Sequence, residues 1–208
     1  MSKRSFFIAS TIDIRGYTQP TMAIIEIDAL SKHFKTLNRH EGLIGTFRDL
    51  FSKDYGTVKA VDDISMTINE GDIVGYIGPN GAGKSTTIKM MTGVLKPTSG
   101  RIVVNGNVPY ANRKKNAQFI GVVFGQRSQL WWDLPVIESF KILKEIYRVD
   151  TDTYDRTLKM FTDLVDLQNL YGKPVRTLSL GQRMLCDIAA AFLHRPKVSR
   201  SQIGEVGN

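Results

Sequence analysis

The residues of this chain with the most readable chemistry are Gly78-Pro79-Asn80-Gly81-Ala82-Gly83-Lys84-Ser85, with Thr86 following at once. They spell G-x-x-x-x-G-K-S. Glycines at these positions let the backbone fold closely round a chain of phosphates, so that successive N–H groups point inward as an anion nest. A helix starting near Gly83 adds its unsatisfied amides and the positive end of its dipole. Lys84 is placed to reach β- and γ-phosphates, and the Ser85 hydroxyl to ligate Mg²⁺. The chemistry this predicts is the binding of a nucleoside triphosphate.

Such a loop works only between a strand and a helix. The run Ile73-Val74-Gly75-Tyr76-Ile77 before it supplies the strand, and Ile88, Met90 and Met91, with Gly93 as a stop, the helix. Upstream, Ala23–Leu30 and Thr57–Ile68 read as strands, and Asn69-Glu70-Gly71-Asp72 as the turn into the loop strand. Between them, Leu43, Ile44, Phe47, Leu50 and Phe51 are spaced for a short amphipathic helix within a polar insertion at 35–54. Downstream, Lys96–Gly100 is a turn, and Arg101–Gly106 and Asn116–Phe124 contain short strands. From Pro135 the period becomes helical. Val136, Phe140, Leu143 and Tyr147 form one apolar stripe, and Tyr154, Leu158, Phe161 and Val165 a second. A third helix follows Ser179, where Ser179 and Gln182 have the spacing of a capping box. Leu185, Ile188, Ala189 and Phe192 are its expected buried side, and Pro196 ends it.

Composition excludes several classes. At 42% hydrophobic and 23% charged residues the chain is ordinary for a globular protein, and no apolar run approaches the ~18 residues a membrane span needs. Asp13 and Arg15 interrupt the apolar start that a secretory signal would require. One cysteine, Cys186, allows no internal disulfide and fits a reducing compartment. The net charge of +8 could fit nucleic acid or acidic lipid head groups but is more often a solvated surface. Its tightest run is Arg113-Lys114-Lys115; charge alone decides nothing, and no nucleic-acid partner is expected from it.

Read in order, these motifs resemble the nucleotide-binding subunits of ABC transporters, from about Ala23 to Val198 with a break at 35–54. Gly78–Ser85 fits the Walker A loop. Gln126 fits the Q-loop glutamine, and Leu178-Ser179-Leu180-Gly181-Gln182 the signature loop, with Leu180 where glycine is usual. The resemblance implies an α/β P-loop NTPase core of ABC ATPase type, with a mostly parallel sheet, an antiparallel β-subdomain and a helical subdomain at about 127–180. It implies ATP and Mg²⁺ as cofactors. Gly78 to Thr86 would hold the phosphates, Ser85 and Gln126 the metal, and Lys84 and Gln126 would serve hydrolysis. Tyr55, 29 residues before Lys84, would stack on adenine, with Phe34 the second choice. Ser179, Gly181 and Gln182 would face the ATP of a second, head-to-tail subunit. Trp131-Trp132 lies where the family meets its permease, and Gly125–Pro135 looks most like exporters whose permease is a separate polypeptide. That places the chain in the cytoplasm, peripheral on the inner face of the cell membrane.

One departure bears on activity. After Arg195-Pro196-Lys197-Val198 the family continues into an apolar strand ending in aspartate and glutamate, and then to a switch histidine. Here Ser199–Asn208 supplies neither strand nor acidic pair, His194 is not that switch, and Glu205 has nothing to aim it. The expected organisation is a disordered extension at 1–21 (with Met22 a possible start), a partial ATP-binding domain at 22–198, and a non-homologous tail at 199–208. The expectation is a truncated or frame-shifted subunit, poor in hydrolysis. Two alternatives stand beside it: a nucleotide-binding remnant without turnover, and a soluble ABC protein acting on ribosomes or nucleic acid.

Overall fold

A computed structural model of the chain describes residues 8–12, 22–37, 55–124 and 128–202. It divides into two compact units, residues 1–116 and 117–208.

In the first unit, β2 (Ala23–Leu37), β3 (Tyr55–Asn69) and β5 (Ser99–Val104) form a three-stranded antiparallel sheet in the order β3-β2-β5. Ile25 and Ile27 point into its core, and so does Leu30, which strict alternation would turn outward. A register shift between Ile27 and Leu30, with Ala29 at φ 44°, makes the correction. β5 crosses this bulge closely. A Cβ on Gly100 (φ +80°) would lie 2.2 Å from the Ala29 carbonyl oxygen.

The loop strand β4 (Ile73–Ile77) pairs antiparallel with β1 (Ile8–Ile12), Ile8 opposite Ile77 and Ile12 opposite Ile73. The sequence predicts no regular element in 1–21. Pairing along a strand edge is main-chain hydrogen bonding, which a short segment lacking a strong side-chain pattern still satisfies. The rest of 1–21 lies outside the described residues, as do Leu43, Ile44, Phe47, Leu50 and Phe51 of the predicted amphipathic helix. After the loop comes α1 (Lys84–Met91), burying Thr87, Ile88 and Met90. The short α2 (Arg113–Ala117) closes the unit. Its fully buried Asn116 donates a side-chain N–H to the Met91 carbonyl, 3.1 Å.

The second unit opens with β6 (Ile120–Phe124), which pairs in parallel with β7 (Val198–Gln202). β7 corrects the sequence reading, which expects no strand beyond Val198. Its residues Ser199, Arg200, Ser201 and Gln202 lack the apolar pattern, but the β6 edge accepts their backbone in register from Ile120↔Val198 to Phe124↔Gln202. Parallel pairing among the described residues is confined to this pair. Among the described residues the unit is completed by the α-helices α3 (Val136–Tyr147), α4 (Thr151–Val165) and α5 (Leu180–Phe192), with short 3-10 turns at Leu167–Leu170 and Val175–Thr177 between the last two. Val136, Phe140, Leu143, Tyr154 and Phe161 share one core, as the predicted stripes require. Val165 does not join them. It is the last residue of α4, ahead of Asp166 in the left-handed region, and stays 39% exposed. On α5 the predicted Ala189 is fully buried, and Ile188 and Phe192 pack partly buried against the core. Leu185, however, is exposed, and Cys186, Asp187, Ala190 and Ala191, which the spacing does not single out, face inward. A face of small side chains lets the helix pack closely. Where α5 ends it lies hard against β6, since a Cβ on Gly121 would come 2.5 Å from the Ala191 carbonyl oxygen.

Candidate nucleotide site

The glycine loop is built from the turn outward. The Ala82 N–H donates to the Pro79 carbonyl, 3.1 Å, closing a turn whose third residue, Gly81, sits at φ +80°. A positive φ at that position is what a type II turn demands and what glycine supplies without cost. Gly83, at φ 91° and ψ 4°, is the residue before α1, and no side chain caps that helix. Its place has a second constraint. A Cβ there would lie 2.1 Å from the Ala60 carbonyl oxygen and 2.9 Å from Val61 Cγ2, so β3 backs the loop directly. Among the described residues no side chain caps the amides of the first turn of α1, which start over a cradle walled by backbone.

Lys84 turns back over this cradle. Its ammonium donates to the Gly78 carbonyl, 2.5 Å, and the Pro79 carbonyl, 2.9 Å. The cation is thus held at the mouth of the loop by acceptors far weaker than phosphate oxygens would be. Ser85 is exposed and Thr86 half-buried on the same first turn. One turn on, Thr87 is fully buried: its hydroxyl donates to the Gly83 carbonyl, 3.2 Å, and accepts from the Tyr76 hydroxyl, 3.1 Å. Burial pushes the Tyr76 phenol above its usual range, so it remains a donor. Strand, loop and helix are tied together by this Tyr76–Thr87–Gly83 chain. The sequence reading missed Ala60, Tyr76 and Thr87 as supports, because their roles rest on contacts across elements rather than on spacing.

The other predicted residues are distributed as follows. Tyr55 begins β3, paired with Leu37 on β2. Phe34, the second choice for a base platform, is 37% exposed on β2, with the Lys32 ammonium 5.3 Å from its ring centre. Gln126 lies outside the described residues, as does Glu205. In the second unit Ser179 caps α5. Its hydroxyl oxygen accepts from the Gln182 N–H, 3.2 Å, and the Gln182 side-chain oxygen accepts from the Ser179 N–H, 3.0 Å. The predicted capping box is therefore present. Gly181 has open space where a Cβ would stand, and Leu180 is 71% exposed. No cluster of three or more His, Cys, Asp or Glu side chains able to hold a metal occurs among the described residues. A hard cation at Ser85 would complete its shell with phosphate oxygens and water, which is how Mg²⁺ is commonly held. Among the described residues no helix is long and apolar enough to cross a membrane.

Strand, glycine loop and uncapped helix, with a lysine at the mouth, define a P-loop nucleotide-binding protein. Comparison with known proteins narrows the class: the family model described as "ABC transporter" matches residues 61–199, and the chain belongs to that family. It is 39% identical over 147 residues to the methionine import ATP-binding protein MetN of Geobacillus kaustophilus (strain HTA426), covering 69% of this chain and 43% of that protein. It is 35% identical over 148 residues to the bacitracin transport ATP-binding protein BcrA of Bacillus licheniformis, covering 71% of this chain and 47% of that one. The chain thus spans under half the length of these relatives. A solved structure, an ATP-binding subunit of an ABC transporter, superposes with a TM-score of 0.66 at 21% identity, over 86% of this chain and 65% of that one. At that identity the likeness speaks for the fold.

Proposed function

We propose that this chain is the ATP-binding subunit of an ABC export system, binding Mg·ATP at residues 78–86 and working on a separate membrane permease from the cytoplasmic face of the membrane. The observation that carries the nucleotide reading is the loop itself: Gly83 admits no side chain, α1 has no side-chain cap, and Lys84 waits on two carbonyls. On binding, the Lys84 ammonium would leave Gly78 and Pro79 for the β- and γ-phosphates, and the Ser85 hydroxyl would join the shell of the metal. Mg²⁺ would supply neutralisation of the phosphate charge. Tyr55 or Phe34 would offer a ring face to the base, and Gln126 would bear on the metal and the attacking water. Ser179, Gly181 and Gln182 would face the nucleotide of a second copy.

Export rather than import rests on Gly125–Pro135 and its likeness to exporters with a separate permease; one relative quoted above is named for import and the other for transport. A second reading, nucleotide binding without turnover, is favoured by β7. That strand is polar, and Ile203-Gly204-Glu205-Val206-Gly207-Asn208 after it holds no aspartate–glutamate pair. Titration of the chain with mant-ATP and Mg²⁺ tests the site: saturable binding is expected, lost at least tenfold in Lys84→Ala. Binding that Lys84→Ala leaves intact would remove the proposal. Phosphate release above the Lys84→Ala background would remove the second reading, and salt-sensitive RNA affinity without ATP binding would replace both with a nucleic-acid role.

A further inference from the structure

The carboxyl of Asp187 is the acidic group of α5 that should not be where it is. It lies 5% exposed on the buried face of the helix, beside Cys186 and Ala190. Burying a carboxylate costs several kcal/mol unless donors replace its water. Two do. The Ser128 hydroxyl and the Gln129 N–H both donate to Asp187 Oδ1, each at 2.9 Å. Ser128 Oγ in turn accepts from the Leu130 N–H, 3.1 Å, and the Gln129 side-chain amide donates to the Val122 carbonyl of β6, 2.9 Å. One turn earlier on the same face of α5, the Arg183 guanidinium stands 4.4 Å over the Trp132 ring. The helix that begins with Ser179–Gln182 therefore grips the segment leaving β6 at two places, residues 128–129 and residue 132. In sequence that segment begins two residues after Gln126.

An apolar contact would anchor the segment more cheaply, and Leu130, at 6% exposure, already provides one. What the carboxylate adds is direction: two donors converge on one oxygen and fix the turn as well as the distance. We infer that Asp187 is a positioning residue that makes the signature helix and the segment leaving β6 one mechanical piece, so that the Ser179–Gln182 loop and the residues following Gln126 move together. The functional weight of this joint rests on the ATP-binding reading above; the joint itself does not. Burial pushes the Asp187 carboxyl above its ordinary range, against the Gln129 and Ser128 hydrogen bonds and the Arg183 charge, which pull it down.

Two measurements on the full 208-residue chain test it. Amide exchange of Gln129, whose N–H donates to the carboxyl, should rise about tenfold or more in Asp187→Ala and less in Ser128→Ala. That of Leu130, whose N–H donates to Ser128 Oγ, should rise most in Ser128→Ala; Asp187→Asn, which keeps an oxygen for both donors, stays near wild type. Wild-type protection of the Gln129 amide in Asp187→Ala would overturn the inference. The only tryptophans of the chain, Trp131 and Trp132, then report on coupling. Addition of Mg·ATP should change their emission in wild type and Asp187→Asn. In Asp187→Ala the change should vanish while mant-ATP affinity stays within about threefold, since the phosphate loop is untouched. An Asp187→Ala response equal to wild type would overturn the coupling. If wild type binds no mant-ATP, the ATP-binding reading falls, and the exchange data still decide the joint.

Discussion

Gly83 shows how much a single missing side chain can specify. At φ 91° it holds a conformation that L-residues avoid, and the space a Cβ would enter is already occupied by the Ala60 carbonyl at 2.1 Å. Gly83→Ala should cost on the order of 1–3 kcal/mol of stability and displace the loop from β3. Its Mg·ATP affinity should fall at least tenfold, whereas Gly81→Ala, with open space and only its φ against it, should fall less. Paired thermal melts and mant-ATP titrations compare the two. His194 carries a different consequence. Its ring stacks on Tyr147, centroids 4.1 Å apart, and Nε2 lies 3.2 Å from the Ile120 carbonyl, which accepts, so Nε2 holds the proton. Nδ1 is buried with no partner among the described residues, and burial pushes the imidazole below its ordinary 6.5. A histidine whose folded pKa is depressed costs the native state stability as pH falls through 6.5 toward the folded value, because the unfolded chain takes the proton first. The urea midpoint should therefore drop between pH 7.5 and 5.5, and His194→Gln should flatten that part of the curve. At this scale the sequence is legible where chemistry is local: the glycine loop, and the Ser179–Gln182 box. Asp187 and His194 are not, since nothing in their neighbours along the chain announces burial.

Among the elements, what reads from sequence is what has a strong period. The stripes of α3 and α4 and the edges of α5 follow from spacing, capping and Pro196. β7 and β1 do not, because both are held by backbone pairing to an edge and carry too little apolar pattern to show it. On α5 the stripe is right for Ile188, Ala189 and Phe192 but not for Leu185, and it misses Ala190 and Ala191 for a related reason. Leucine and isoleucine dominate a sequence-based stripe, but close approach to β6 favours Ala189, Ala190 and Ala191. That approach is testable. Gly121→Ala would set a Cβ 2.5 Å from the Ala191 carbonyl, in the last turn of α5, and 2.7 Å from the Pro196 ring, in the α5-to-β7 connection. Backbone cannot yield as a flexible side chain does, so a loss of about 1–3 kcal/mol is expected, read as a lowered melting temperature. Gly172→Ala, with open space at its Cβ, is the matched control and should melt within error of wild type.

For the molecule as a whole, the glycine loop at 78–85 belongs to the first unit and α5 to the second. If the proposed function holds, the two motifs meet across two copies, with Ser179 facing the γ-phosphate held by the partner. Charge separates this from a merely structural role for Ser179. Aspartate is as good a helix N-cap as serine, so Ser179→Asp should preserve α5 and its melting temperature. It would also put a carboxylate against a triphosphate, where like charges repel and the N-terminus of α5 can no longer favour the phosphate. In sedimentation velocity, Mg·ATP should drive wild type from monomer toward dimer, and Lys84→Ala should stay monomeric for want of nucleotide. Ser179→Asp should bind mant-ATP like wild type yet fail to associate, while Ser179→Thr, which keeps both the cap and the neutral hydroxyl, should dimerise. A Ser179→Asp chain that dimerises as wild type does would mean that the head of α5 faces no phosphate. The signature loop would then be only a well-capped helix start.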